Sequence, residues 1–208
     1  MKPARSRKKR AYDPQRTRGR IIAAAARQFQ SRGYHATSMH EIMELAGVPG
    51  GSVYHYFPTK KSLGLAVIGE DVAASIEETW MRPVRNAPTA REGIAHVFQS
   101  VADQIERDGR GVTGCPVNNL TLELALTDAD FQAALRRIFD EWTEVIAERI
   151  RADLQEGKLR GIDPDETAIA TVANFSGAMA MAKARQSAEP IRACAKQTLR
   201  LLTAERSS

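Results

Sequence analysis

Apolar side chains return every three to four positions almost throughout this chain, and that regularity confines it to a fold built from helices. The longest stripe is Phe131, Leu135, Ile138, Phe139, Trp142, Ile146 and Ile150, one face of a helix expected from Thr127-Asp128 to about Leu154, with Gly157 and Gly161 closing it. Valines, isoleucines and aromatics elsewhere mostly keep the same spacing, and nothing reads as a β-rich region. A hydrophobic content of 43% over 208 residues supplies ample core. The fold class is therefore all-α, with about nine helices and no internal repeat.

Breakers and caps place the helices. A first one runs from Pro14 to about Arg32, carries Ile21, Ile22, Ala25 and Phe29 inward, and stops at Gly33. Thr37-Ser38 precede a short helix, Met39 to Ala46, in which Met39, Ile42, Met43 and Leu45 are the expected core positions, and Gly47 can take the left-handed conformation that ends it. Gly51 to Tyr56 forms another short helix, broken by Phe57-Pro58. Thr59 then caps a long helix from Lys60 to about Met81, after which Pro83 and Pro88 mark a break. A helix from about Thr89 to Arg107 turns Ile94, Val97, Phe98, Val101 and Ile105 to one side. A glycine-rich loop leads to Cys115-Pro116, which opens a helix to about Leu126. Asp163-Pro164-Asp165-Glu166 reads as a capping box opening a helix to about Gln186, and a last one spans Glu189 or Pro190 to about Thr203.

Charge is divided along the chain. Residues 1–62 hold thirteen Lys and Arg against Asp13, Glu41 and Glu44, a net +10, whereas residues 63–208 are net −5. A basic head on an acidic body points to a polyanionic partner for the head, and its basic residues continue through Arg16, Arg18, Arg20, Arg27 and Arg32, beyond any tail. A sequence-nonspecific nucleoid protein would need basic residues over the body as well. No apolar run reaches the ~18 residues that span a bilayer, and no apolar segment follows the first charges, so neither a membrane partner nor a secretory signal is expected. With Cys115 and Cys194 the only cysteines, a disulfide framework is not expected and a cytoplasmic location is. No phosphate loop, nucleophile elbow or HExxH motif is present, and no strand precedes the Gly-Val-Pro-Gly-Gly-Ser stretch, so no enzyme is expected. His35, His40, His55 and His96 lack paired-ligand spacing, which leaves no metal site and no cofactor.

Two short helices joined by a tight glycine turn and packed on a preceding helix describe a helix-turn-helix. The turn needs Gly47 and the apolar anchor Val48. The second helix needs small residues where it meets the major groove, and Pro49, Gly50, Gly51 and Ser52 supply them. The stretch from Gly33 to Ile42, then Ala46-Gly47-Val48-Pro49-Gly50-Gly51-Ser52-Val53-Tyr54-His55-Tyr56-Phe57-Pro58-Thr59-Lys60-Lys61-Ser62-Leu63, resembles the DNA-binding domain of the TetR family of bacterial regulators. The resemblance implies that Thr37 and Ser38, at a helix N-terminus, hold a phosphate, and that Lys60 contacts one across the groove. It places Gly50, Ser52, Tyr54 and His55 on the reading helix, although Tyr54 also reads as a core residue with its hydroxyl on a phosphate, and His55 as plain surface. Many members carry Lys or Arg where this chain has Gly50. The basic arm, Arg5 to Arg10, could compensate in the minor groove or along the backbone.

The expected organisation is a basic flexible arm (1–13), a helix-turn-helix domain (14–62) and a larger ligand-binding and dimerisation domain (63–208). The helix at 163–186 is rich in small residues (Ala168, Ala170, Ala173, Ser176, Gly177, Ala178, Ala180, Ala182), which suit close helix contact between copies or simple internal packing. The resemblance favours the former, since the last two helices of the family usually pair into a four-helix bundle between protomers. Cys115, at a helix cap, sits where free N–H groups favour a thiolate, and Asn119 and Glu123 follow four apart on one face. The Gly-Cys-Pro-Val start is similar to one TetR subgroup whose corresponding helix borders the ligand pocket. Three readings of Cys115 stand: a capping residue, a redox or electrophile sensor, or part of the pocket lining. Phe98, Phe139, Trp142, Phe175 and Met179 are further pocket candidates, each equally readable as core; Cys194 reads as a packing residue. The function implied is a ligand-responsive repressor, bound as a homodimer to a palindromic double-stranded DNA operator and released by a small-molecule inducer. A redox-sensing repressor acting through Cys115 is the alternative.

Overall fold

Side-chain caps fix where most helices of this protein begin. In the computed structural model, which describes residues 13–109 and 111–203, Asp13 accepts from the Arg16 N–H, Thr89 from Glu92, and Asp163 from Glu166. Ser38 and Glu41 complete a reciprocal capping box, as do Thr59 and Ser62. Each such cap is worth about 1 kcal/mol. The helices in chain order are α1 (Pro14–Arg32), α2 (Met39–Ala46), α3 (Gly50–Tyr56), α4 (60–86), α5 (Ala90–Asp108), α6 (Pro116–Leu124), α7 (Ala129–Gln155), α8 (Pro164–Arg185) and α9 (Glu189–Leu201), of which α3, α6 and α9 begin without a side-chain cap. The described residues include no strand. The basic arm expected before Asp13 lies outside them.

Two sequence expectations need correction. Pro83 does not break α4: the chain stays helical through Arg82–Asn86, with Pro83 in its first turn. The segments Val67–Val72 and Glu77–Met81 are wound as π-helix, and this wider winding just before Pro83 accommodates a residue that has no N–H to give. Leu45 is not a core residue; it is 45% exposed. The inward row of α2 is Ile42 and Ala46, one turn apart, and Leu45 lies off it while Met39 and Met43 are half-buried.

Ile21, Ala25 and Phe29 of α1, Ile42 of α2, Val53 of α3, Phe57 just after it and Leu63 of α4 form the buried centre of the N-terminal helices. In the larger part, α7 runs through the middle and buries Ile138, Trp142, Ile146 and Ile150 against Ile94, Val97 and Phe98 of α5 and Ala168, Val172 and Phe175 of α8. Trp80, Phe98, Trp142 and Phe175 meet there as an aromatic cluster, with the Trp80 and Phe175 ring centroids 4.8 Å apart. A fully buried carboxylate ties its far end: Asp153 accepts from the Ala90 N–H at 2.6 Å and from Arg149 at 2.5 Å. No helix among the described residues is long and apolar enough to cross a membrane.

Candidate nucleic-acid interface and ligand cavity

Helix α3, the expected reading helix, projects from the N-terminal bundle with much of its surface uncovered. Val53 is buried and anchors it inward, with Tyr56 partly buried against the same core; Pro49, Gly51, Tyr54 and His55 are exposed, and Gly50 and Ser52 half-buried. Tyr54, at 51% exposure, is a surface residue. Gly47 makes the turn before it in the left-handed conformation (φ 59°), and the Arg20 guanidinium spans that turn, donating to the carbonyls of Ala46 (2.5 Å) and Gly47 (3.1 Å). The angle between α2 and α3 is thus held from α1.

The residues expected to hold phosphate are engaged within the protein. Thr37 is buried and donates its hydroxyl to the Gly33 carbonyl at 2.7 Å. Ser38 is exposed, but its N–H and hydroxyl both donate to Glu41, at 2.7 and 2.9 Å. Those bonds, with the Arg32 guanidinium beside them, hold the Glu41 carboxyl below its usual range. Lys60 lies over the Tyr34 ring, its Nζ 4.4 Å from the centroid, and donates to the His35 carbonyl at 3.3 Å; partial burial lowers its pKa, and Glu123 and Glu41 oppose the shift.

These contacts sit where the N-terminal helices meet the rest of the molecule. Glu123, near the end of α6, accepts from the backbone N–H groups of Tyr34 (2.8 Å) and His35 (2.6 Å). Gly33 is positive in φ (89°), and a Cβ there would stand 3.1 Å from the Glu123 carboxylate. Tyr34 packs edge-on against Phe131 of α7, and Gly64 lets both rings approach α4. Lys61 reaches Asp128 and Asp130 at 2.6 and 2.7 Å. Gln30 of α1 donates to the Gly114 carbonyl at 2.7 Å, and Arg18 pairs with Glu70 of α4.

At the other end of α6 a cavity of about 240 Å³ opens between α4, α5, α8 and the loop at 111–116. Ile76, Trp80, Val101, Ile105, Phe175 and Met179 make its apolar wall; Ser75, Thr79, Gln104, Asp108 and Thr113 contribute polar groups. Cys115 and Pro116 close one side. Burial pushes the Cys115 thiol up from its usual value, against the opposing pull of the Asn118 and Val117 N–H groups. Desolvation therefore outweighs the cap geometry that favours a thiolate. A second hollow lies between α1, α4 and α6, and Ser75, Thr113, Gly114 and Pro116 form a wall common to both.

The sequence-proposed ligand residues divide into three groups. Cys115, Phe175 and Met179 line the cavity. Phe98 and Trp142 are fully buried behind it, in ring contact with Trp80 and Phe175. Phe139, half-buried and stacked on Trp142, lines a surface hollow between α6 and α7, on another side of the molecule. Asn119 bonds the Thr113 carbonyl at 2.9 Å and Gln30 at 3.3 Å, and Glu123 serves the domain junction, so neither lines the cavity. The sequence reading missed Trp80, although it stands in a buried row four apart along α4, Ile68, Val72, Ile76, Trp80 and Val84, that was open to a periodicity reading. It also passed over Glu41, although the Ser-x-x-Glu spacing of a capping box was available. Among the described residues no three His, Cys, Asp or Glu converge as a metal set.

The outward side of α8 bears a stripe at helical spacing: Ile169 (60% exposed), Ala173, Gly177, Ala180 and Met181 (47% exposed). Ala168, Ala178 and Ala182, from the same small-residue run, are buried within the protomer.

Comparison with known proteins places both halves. Residues 21–67 match the family described as bacterial regulatory proteins, tetR family, and residues 90–197 match the C-terminal domain described as transcriptional regulator LmrA/YxaF-like. Transcriptional regulator AcuR of Cereibacter sphaeroides is 31% identical over 195 residues, covering 92% of this chain and 87% of that one. The HTH-type transcriptional repressor DhaR of a Mycobacterium species is 25% identical, covering 84% and 86%. The crystal structure of a TetR transcriptional regulator from Chloroflexus aurantiacus superposes with a TM-score of 0.80 at 26% identity, covering 90% of this chain and 94% of that one.

Proposed function

Since this chain belongs to the TetR family of bacterial transcriptional regulators, we propose that it is a ligand-responsive repressor that grips a palindromic operator as a homodimer and lets go when a small molecule fills the cavity beside Cys115. The observation that carries this reading is the span of α6. Its first turn walls the cavity and its last turn, through Glu123, holds the backbone of Tyr34 and His35 in the reader. A ligand that displaces the first turn shifts the helix, and the paired N–H bonds oblige the reader to follow.

On DNA, α3 enters the major groove. Pro49, Gly50, Gly51 and Ser52 allow close approach, Ser52, Tyr54 and His55 reach bases or phosphates, and Ser38 and Lys60 face the backbone, while the buried Thr37 braces the turn before them through the Gly33 carbonyl. Ser38 would exchange its bonds to Glu41 for a phosphate oxygen. The exposed stripe of Ile169, Ala173, Gly177, Ala180 and Met181 on α8, with α9 beside it, supplies the surface on which two copies pair. Burial of Cys115 and the rise in its thiol pKa supply no support for a redox sensor there.

Selection of binding sites from a random duplex pool, followed by mobility shift, tests the reading. The expected product is a palindrome whose half-sites lie about one helical turn apart, bound ~10³-fold or more above random DNA. Enrichment of no sequence would overturn it.

A further inference from the structure

Residues 111–114 wall the cavity, and side-chain amides from three other parts of the molecule hold them there. Gln186, which caps the end of α8, grips the first part. Its Oε1 accepts from the Val112 N–H at 2.8 Å, and its Nε2 donates to the Val112 carbonyl at 3.1 Å and the Lys183 carbonyl at 2.7 Å. Asn119 of α6 donates to the Thr113 carbonyl at 2.9 Å. Gln30 of α1 donates to the Gly114 carbonyl at 2.7 Å and to the Thr113 hydroxyl at 3.2 Å. One short segment of cavity wall thus joins the end of α8 to a helix of the reader.

Two backbone features mark the grip as closely specified. Gln186 is the one non-glycine residue with positive φ (51°) among the described residues, a conformation that an L-residue keeps only where its surroundings impose it. Gly111 (φ 87°) leaves room for the contact: a Cβ there would stand 2.9 Å from the Gln186 Oε1. Val112, held between them, is buried and lines the cavity. The bonds all join uncharged groups, and Gln186 is exposed, so they can be exchanged for water without stranding a charge.

We propose that residues 111–114 are a strap along the cavity, with Gln186 as its lock and Gln30 as its tie to the reader, so that a ligand lifting the strap frees α1 as well as moving α6. The strap rests on the reading of the cavity as the inducer site and adds a second route from it to the reader. Gln186 and Gln30 are then positioning residues for DNA binding.

Gln186→Gly deletes the amide where glycine adopts the backbone freely, so the variant is expected to fold. Gln186→Asn, which also tolerates this φ but is one methylene short of Val112, is the second variant. In ¹⁵N-labelled full-length protein both should exchange the Val112 amide at least about tenfold faster, with the α7 amides unchanged. The Gln30 side-chain amide signal, assigned by Gln30→Leu, should move as well, although Gln30 bonds Thr113, Gly114 and Asn119 and not Gln186. A Val112 amide that exchanges no faster, or a Gln30 signal that stays in place, would overturn the proposal. On a palindrome selected from the random pool, Gln186→Gly should bind about fivefold or more weaker, and adding it to Gln30→Leu should weaken binding no further. Undiminished affinity, or additive losses, would overturn the strap and leave the repressor reading standing. Enrichment of no sequence rejects the repressor reading, and the Val112 and Gln30 signals then still decide the strap.

Discussion

The two ends of α6 do opposite things. At its start Cys115 and Pro116 border empty space, in an apolar setting that keeps a thiol neutral. At its end Glu123 is a carboxylate committed to two peptide N–H groups of another domain. Between them Val117, Leu120 and Leu124 bury the helix. Apolar contact beside a cavity is non-directional and tolerates displacement, whereas charge-assisted hydrogen bonds fix direction and distance. A helix with one compliant end and one directional end is suited to carry a displacement from the first to the second.

The comparison fails outright if α6 is not a firmly packed body, and Leu120, 4% exposed at its middle, decides that. Leu120→Ala is expected to cost 2–5 kcal/mol, a fall in melting temperature of roughly 5–15 °C. A loss under about 1 kcal/mol would mean that the helix already floats. Next in size, Glu123→Ala leaves the Tyr34 and His35 N–H groups without acceptors and is expected to cost about 2–3 kcal/mol. The direct check is hydrogen exchange: the amides of residues 34 and 35 should lose protection while those of α8 keep theirs. Unchanged protection at 34 and 35 would remove the directional end of the comparison.

The two ends also differ in how far they could be read from sequence. The reader was legible because its determinants are local: Ser38 and Thr59 each mark a helix start and Gly47 a helix end, all within a few residues of the segments they bound. The cavity is assembled from α4, α5, α6 and α8, residues up to a hundred positions apart. Helical period located the stripes that contain Phe98 on α5 and Trp142 on α7, but period assigns a residue to an inward face and not to one side of a void. Phe175 borders the void, whereas Phe98 and Trp142 back it. Glu123 shows the same limit from the polar side. Spacing paired it with Asn119 on one face, but its partners are backbone groups 89 and 88 positions away, which no local pattern encodes.

A smaller effect sharpens the reader's side. Gly47 holds φ 59°, and an added Cβ would stand 3.1 Å from the Arg20 guanidinium that spans the turn. Gly47→Ala is expected to cost about 1–2 kcal/mol from the left-handed backbone. It should also weaken DNA binding beyond that loss, since the displaced Arg20 no longer sets the angle of α3. Mobility shift at a temperature where the variant is fully folded separates the two contributions, and undiminished DNA affinity there would show that the turn only stabilises.

The smallest expected effect belongs to the compliant end. Burial raises the Cys115 thiol pKa, so at pH 7.5 the folded protein holds less thiolate than an ordinary cysteine would, and the thiolate is the species that reacts. Cys115 is also 4% exposed, which limits access. Alkylation by N-ethylmaleimide, followed by mass spectrometry of the Cys115 peptide, should therefore run at least about tenfold slower in folded protein than in guanidinium-unfolded protein at the same pH. The folded rate should climb as pH rises toward the elevated pKa, because the raised value keeps the proton on sulfur through the neutral range. Rapid modification of Cys115 at pH 7 would reverse the assignment: the start of α6 would then be a reactive end, and electrophiles acting through sulfur would displace the helix in place of a reversibly bound small molecule.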